Sequence, residues 1–499
     1  MLAYALRDDP SLALLTDLYE LSMAQGYWKN GMLGTEAEFH MFFRENPFGG
    51  GYVVWAGLAD LLSVLRDFRF SQSDLDYLAT LKDRAGEPMF QEGFLKHLSE
   101  FRFTCDLDGV AEGTVVFPHE PLLRVKGPIL EAQVIETLLL TIVNFQSLIA
   151  TKAARTVLAA QGDPVVDFGL RRAQGVDGGF SASRAAYIGG CTGSSNVLAG
   201  KMLGIPVMGT FAHSWVMSFD SEPEAFEAFA HSMPNNCVFL VDTYGTREGI
   251  RNAVKVGREL KERGHQMVGV RLDSGDLAYL SQQARTALDE AGLEQALVMA
   301  SGDLDEWLIR SLKSQGARIN AWGVGTRLVT AHGDPALGGV YKLSAVRPAG
   351  QPDWRYKLKL SEQKLKINIP GLLQVYRFTN GNGLMVADAI VEDSEVPEGI
   401  EVIVDPNDNT KHKRLGPQTH AEPMLQPLMR GGKPVGELPS LEAIRARAAA
   451  QMEQLHPGHK RFENPHIYPV GLSPRLNTMR DSMIAGARAA AMGTVLPPN

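Results

Sequence analysis

Cysteine is scarce in this 499-residue chain: Cys105, Cys191 and Cys237 lie far apart, with no C-x-x-C spacing. They form neither a disulfide framework nor a zinc-site pattern, and a reducing compartment is the simplest reading. Positive charge is not in excess either, because 49 Lys and Arg stand against 57 Asp and Glu, a net charge of -8. That balance argues against a surface that attracts nucleic acid or membrane as a whole. An anionic ligand must then be gripped by local arginines and backbone amides. Long uninterrupted apolar runs are missing too. The longest candidate, Val134 to Ile149, is broken by Glu136, Asn144 and Gln146, and fits a buried helix over 133–160 better than a membrane span. Met1 to Pro10 carries two acids and no apolar stretch bounded by basic residues, so no secretory leader is read there.

What is present reads as an ordinary globular protein, with 44% hydrophobic and 21% charged residues and a length that suits two or three domains. Residues 1–130 read as a mixed α/β domain. Thr16 or Asp17 caps a first helix reaching Trp28, and the chain turns at Asn46-Pro47-Phe48-Gly49-Gly50-Gly51, whose spacing is not that of a phosphate loop. Leu58–Leu65 and Leu75–Leu81 read as helices, and Gly109–Ile129 as strands punctuated by prolines.

Over 131–350 short apolar runs recur every 20 to 40 residues or so, separated mostly by helical patterns, as βα units do. They are Pro164–Phe168, Ile205–Met208, Cys237–Val241, Met267–Val270, Ala296–Met299, Ile319–Trp322 and Gly339–Leu343. The pattern predicts an irregular (β/α) barrel. In the remainder, 351–499, Trp354–Phe378 is strand-like and basic, Val402–Pro427 is irregular, and Ser440–Leu455 is an amphipathic helix. This segment is expected to pack back on the N-terminal domain or on a partner subunit.

Chemistry in such a barrel belongs just after each strand. Those positions read Asp167-Phe168-Gly169-Leu170-Arg171-Arg172, then Gly209-Thr210 with His213, then Asp242-Thr243-Tyr244. Arg271-Leu272-Asp273-Ser274-Gly275-Asp276, Ser301-Gly302-Asp303 and Gly323-Val324-Gly325-Thr326-Arg327 follow. Each has a plain structural use: an exposed charge pair at Arg171-Arg172, helix caps at the Asp273–Asp276 and Asp303 turns, a simple turn at Gly323, a hydrogen-bonded histidine at 213. Their convergence on one rim favours a site. Glycine turns at helix starts bind phosphate through bare N–H groups, arginines clamp it, and aspartates suit ribose hydroxyls or Mg2+. Together they fit a sugar bearing more than one phosphate, with His213 as acid, base or nucleophile.

Several of these motifs, taken with Thr16-Asp17-Leu18-Tyr19, Asn46-Pro47-Phe48-Gly49-Gly50, Phe168 through Gly175, Ala212-His213-Ser214, Val270 through Asp276, Gly338 through Leu343, Ile369-Pro370-Gly371 and Val375-Tyr376-Arg377, resemble the nicotinate phosphoribosyltransferase family. The resemblance implies an α/β fold: an irregular barrel of the type II phosphoribosyltransferase kind with a second, smaller α/β domain built from both chain ends. It implies a cytoplasmic enzyme of NAD salvage that joins nicotinate and 5-phosphoribosyl 1-pyrophosphate, giving nicotinate mononucleotide and pyrophosphate. ATP hydrolysis is coupled through a phosphohistidine at His213, Mg2+ assists, and the enzyme is a homodimer with shared sites. On that resemblance Arg271 and Asp273 join His213 as catalytic residues. Tyr19, Phe168, Arg171 and Thr210 frame the nicotinate, with Tyr19 reaching in from the second subunit. Asp242, Gly302, Asp303, Gly323, Gly325 and Thr326 complete the substrate-binding set, and the metal ligands are left open. Competing readings are a nicotinamide- or quinolinate-using enzyme of the same fold, or a barrel that binds a phosphorylated ligand without catalysis.

Overall fold

The computed structural model describes residues 12–360 and 368–491. Met1–Pro10, and residues 361–367 inside the strand-like segment expected over Trp354–Phe378, lie outside them. The chain forms two compact units: Ile149–Pro335, and Met1–Leu148 together with Ala336–Asn499.

The central unit is built on six parallel strands, β1 (Val165–Asp167), β2 (Gly193–Ser194), β3 (Val238–Leu240), β4 (Gly269–Leu272), β5 (Leu297–Ala300) and β6 (Ala321–Val324), in the order β2-β1-β6-β5-β4-β3. That order is the ring order of a barrel opened between β2 and β3. The strands are short and mostly buried, as helix-covered parallel strands are, which is why they read as apolar runs rather than alternating ones. Helices Thr246–Glu262, Leu277–Glu290 and Glu306–Ser314 return the chain between β3, β4, β5 and β6. The first buries Ile250, Ala253, Val256 and Leu260 at helical spacing.

Two of the expected barrel strands differ. Ile205–Met208 forms no strand; it runs beside β2 through a single parallel bridge, Ser194 with Val207. Pro206 has no N–H to donate to a ladder, and three of the four residues are exposed, so the run fills the gap in the ring without closing it. Gly339–Leu343 opens the strand Gly339–Arg347, which pairs antiparallel with Glu36–Phe43 and therefore belongs to the other unit.

That unit holds a seven-stranded antiparallel sheet and a six-stranded sheet. In the first, Glu36–Phe43 lies between Gly339–Arg347 and Leu123–Pro128, while Gln426–Arg430 pairs with Asp106–Gly109. Strands from both chain ends thus share one sheet, and the rings of Phe39 and Tyr341 stack at 4.8 Å. Among the described residues one helix, Glu136–Ala160, is long and apolar enough to cross a membrane, and 72% of its apolar window is buried in the protein. It ends where the helix read over 133–160 ends but begins at Glu136, since Gln133 and Val134 close a separate short helix, Ile129–Val134.

Helix Leu18–Lys29 begins at Asp17, which makes no side-chain cap bond and instead accepts from Thr137 Oγ1 at 2.9 Å. Its Glu20 is fully buried, and Gln133 Nε2 donates to it at 2.7 Å. Burial raises the Glu20 carboxyl from 4.5 to about 7, opposed by hydrogen bonds from Gln133 and Tyr19. Because the folded state holds the proton more tightly than the unfolded chain, this contribution to stability is full below the unfolded value and is lost as pH rises toward 7. The Glu20→Gln variant should therefore lose less of its thermal midpoint than the parent between pH 5 and 7.5. Identical slopes in a melting series over that range would contradict the assignment.

Candidate active site

Loops at the carboxyl ends of β1, β4, β5 and β6 enclose a polar cavity of about 330 Å³, lined by Phe168, Arg171, Arg172, Arg271, Asp273, Ser301, Gly302, Asp303, Gly323, Gly325 and Thr326. This is the edge at which α/β sheets bind ligands. All eleven positions lie in the central unit.

The geometry starts with Asp167 at the end of β1. Its buried carboxylate accepts from Gly169 N at 2.8 Å, Ser194 Oγ at 2.7 Å and Ser183 Oγ at 3.1 Å. Burial raises its pKa against those three donors, so its role is structural: it knots the turn from which Phe168 and Arg171 project. Phe168 N donates to Val324 O at 2.8 Å, which docks this turn on β6. A Cβ on Gly323 would lie 2.5 Å from the Phe168 ring, so only glycine leaves the ring its place. Arg171 and Arg172 are exposed, and neither guanidinium has a hydrogen-bond or ion-pair partner among the described residues. Two unneutralised guanidinium groups at the mouth are suited to an anion.

Opposite them, Arg271 on β4 places Nη1 on Thr210 Oγ1 and 3.4 Å from Phe211 O, and Nη2 3.4 Å from Asp273 Oδ1. Burial lowers the Arg271 pKa, countered by the Asp273 and Asp242 carboxylates. Asp273 also receives the Ser301 hydroxyl on Oδ1. Gly302 sits at φ 106°, where a Cβ would meet Asp273 O at 2.9 Å, so the turn that brings Ser301 and Asp303 to the cavity depends on glycine. The cap of helix Glu306–Ser314 is Asp305, which accepts from Trp307 N and Leu308 N at 3.1 and 2.8 Å. Asp303 is therefore not the cap, and it remains exposed at the cavity edge.

Asp242 lies behind the lining. Its Oδ2 accepts from Asp273 N at 3.1 Å and Ser274 Oγ at 2.6 Å, while its Oδ1 is buried without a partner among the described residues. His213 opens the short helix His213–Met217, half-buried, with Nδ1 3.1 Å from Thr243 Oγ1. It is outside the cavity wall and is tied to the loop after β3. Tyr19 lies on helix Leu18–Lys29 of the other unit, about half exposed, with a pKa raised by burial and by neighbouring Glu136 and Glu20.

The structure thus collects Phe168, Arg171, Arg271, Asp273, Gly302, Asp303, Gly323, Gly325 and Thr326 around one cavity, with Thr210 and Asp242 bonded to its wall. Arg172 and Ser301 also line it, although the resemblance gives neither of them a role. Both stand beside a chosen residue in the same strand-end motif, which was the available signal. The contacts of Ser274 and Thr243 leave no local sequence signal, because their partners, Asp242 and His213, are 32 and 30 residues away.

Parallel strands whose carboxyl-end loops gather arginines, aspartates and glycine turns around one polar cavity are suited to a phosphorylated small molecule. Models of the nicotinate phosphoribosyltransferase N-terminal domain, the nicotinate phosphoribosyltransferase family and its C-terminal domain match residues 14–144, 164–350 and 373–480. The chain is 43% identical over 482 residues to the nicotinate phosphoribosyltransferase of Bacillus subtilis (strain 168), covering 95% of each. With the Homo sapiens nicotinate phosphoribosyltransferase it shares 37% identity over 530 residues, covering 95% of this chain and 97% of the relative. The crystal structure of human nicotinic acid phosphoribosyltransferase superposes with a TM-score of 0.81 at 34% identity, covering 94% of this chain and 99% of that one. The chain belongs to the nicotinate phosphoribosyltransferase family and is an enzyme.

Proposed function

We propose that this enzyme joins nicotinate and 5-phosphoribosyl 1-pyrophosphate to form nicotinate mononucleotide and pyrophosphate in NAD salvage, with ATP hydrolysis coupled through His213. The observation that carries the reading is Arg271, held between Thr210 and Asp273 in a cavity whose other guanidinium groups have no partner among the described residues. In the reaction the ribose C1–O bond to pyrophosphate breaks and a C1–N bond to the pyridine forms, the electron pair leaving with pyrophosphate. Positive charge grows on the ribose and negative charge on the leaving group. Arg171 and Arg271 stabilise the anionic groups, Asp273 orients the sugar, and the Phe168 ring offers a stacking face to the pyridine. Tyr19 of a second subunit supplies the other face. The turns at Gly302, Asp303, Gly325 and Thr326, all in the cavity lining, hold the 5-phosphate end.

Among the described residues no three His, Cys, Asp or Glu side chains are grouped closely enough to hold a metal by themselves. Asp273 and the partnerless Oδ1 of Asp242 fit Mg2+, which commonly binds one or two carboxylates together with substrate phosphates. Bound there, Mg2+ supplies charge neutralisation to the pyrophosphate. For coupling, the γ-phosphoryl of ATP passes to a ring nitrogen of His213 as ADP leaves, and hydrolysis later releases phosphate. Leu15, Leu18, Tyr19 and Met23, all exposed at the start and along one side of the first helix, support a homodimer in which a partner covers them. Three buried cysteines outside any disulfide among the described residues fit a cytoplasmic setting.

Nicotinate, nicotinamide and quinolinate, assayed side by side with and without ATP, test the reading. Nicotinate should give the highest kcat/KM and the one raised most by ATP; a higher value for nicotinamide or quinolinate would reassign the substrate.

A further inference from the structure

We infer that Thr243 is a positioning residue that holds the His213 ring and ties its phosphorylation to the Asp242–Asp273 side of the cavity. This rests on the phosphohistidine reading above. His213 stands at the first position of a five-residue helix whose N-cap, Ala212, makes no side-chain bond, so its own element does little to orient the ring. The polar contact recorded for the imidazole is Nδ1 to Thr243 Oγ1 at 3.1 Å. A hydroxyl can accept from a protonated Nδ1 or donate to a bare one, so Thr243 holds the ring in either tautomer.

The residue before Thr243 in the chain is Asp242, whose Oδ2 accepts from Asp273 N at 3.1 Å and from Ser274 Oγ at 2.6 Å. Asp273 in turn meets Ser301 and Arg271 in the cavity wall. One peptide link therefore separates the group that touches His213 from the carboxylate that anchors the Asp273 backbone. A phosphoryl group on His213 brings roughly two negative charges to the side of this loop. Repulsion between that charge and Asp242 acts on the Asp273 backbone through one hydrogen bond and on the Ser274 hydroxyl through another, which gives ATP cleavage a short route to the substrate side. Thr210 offers a second link, because it precedes His213 by three residues and its hydroxyl meets Arg271. Thr243 differs in touching the imidazole itself.

The test compares the parent enzyme, Thr243→Val, Thr243→Ser and His213→Asn on two readouts. One is the initial rate of acid-labile label from γ-labelled ATP; the other is the ratio of nicotinate kcat/KM with ATP to that without. Thr243→Val keeps the shape and removes the hydroxyl, and should slow labelling roughly tenfold, the loss of one neutral hydrogen bond, with the ATP ratio falling toward one. Thr243→Ser should recover most of both. If Thr243→Val melts early, Thr243→Ala serves as the second hydroxyl-free variant. Labelling at the parent rate in either hydroxyl-free variant overturns the positioning role, and an unchanged ATP ratio overturns the tie to Asp273. A parent enzyme that takes no label, or a His213→Asn variant that labels normally, sinks the phosphohistidine reading itself and this inference with it.

Discussion

Replacing Arg271 by alanine is expected to lower kcat/KM for nicotinate by roughly 100- to 1000-fold, the usual cost of removing one preorganised donor from a reacting centre. Three features put the effect at this size. The side chain is 13% exposed, so its charge acts in a partly water-excluded setting. Its Nη1 and Nη2 are already aimed by Thr210 and Asp273, so little reorganisation is needed when an anion arrives. No lysine lies among the residues lining the cavity, and the other two arginines there, Arg171 and Arg172, are exposed. Stability should change much less, because Asp273 keeps the Ser301 hydroxyl and is itself 33% exposed. Arg271→Lys keeps a cation but loses the planar fork, and is expected to recover only part of the loss. Steady-state kinetics with a melting curve for each variant decides the matter: normal turnover by Arg271→Ala would remove this residue from the site.

A second large effect is expected at Glu306, and it concerns stability rather than catalysis. Glu306 is fully buried in the first turn of helix Glu306–Ser314, with Lys152 Nζ at 2.8 Å and Arg155 Nε at 3.0 Å. The Lys152 and Arg155 side chains are 2% and 1% exposed, and Lys152 also donates to His332 O at 2.7 Å. One buried carboxylate thus lies against two buried cations. Glu306→Gln takes that charge away from both and should cost about 3–5 kcal/mol, the range for breaking a buried pair from one side. The surface pair Arg251–Glu248, with side chains 73% and 65% exposed, is the natural control. Arg251→Ala should cost below about 1 kcal/mol, since solvent screens such pairs. Chemical denaturation of the two variants measures both, and equal midpoints would show that the buried cluster contributes no more than the exposed one.

The elements that were legible share a local cause. β4, β5 and β6 appear as apolar runs because both faces of a parallel strand are covered, and a loop with Gly, Asp or Ser follows each one. The helix ending at Ala160 was readable from length and apolarity, and Ser221 and Ser440 mark helix starts where their hydroxyls accept from Glu224 N and Ala443 N. The failures have causes as well. β2 is the pair Gly193–Ser194, too short and too small to leave an apolar signal. Ile205–Met208 has that signal, but Pro206 deprives it of a donor. Gly339–Leu343 is apolar enough for either sheet, and its pairing with Glu36–Phe43 depends on a segment about 300 residues earlier in the chain. Asp303 and Asp305 are near-equivalent as caps on paper; the chain path selects Asp305.

The order of residues was sufficient to mark the ends of the βα units and the motifs at which arginine, aspartate and glycine turns recur, because turn chemistry and burial on both faces write themselves into neighbouring positions. It could not show that the Asp167 carboxylate is spent on its own turn, that the Phe168 ring needs the space at Gly323, or that His213 leans on Thr243. Those outcomes depend on which hydrogen bonds and contacts close once distant strands lie side by side. Only the folded chain settles them, since a donor or a ring has no partner until tertiary packing supplies one.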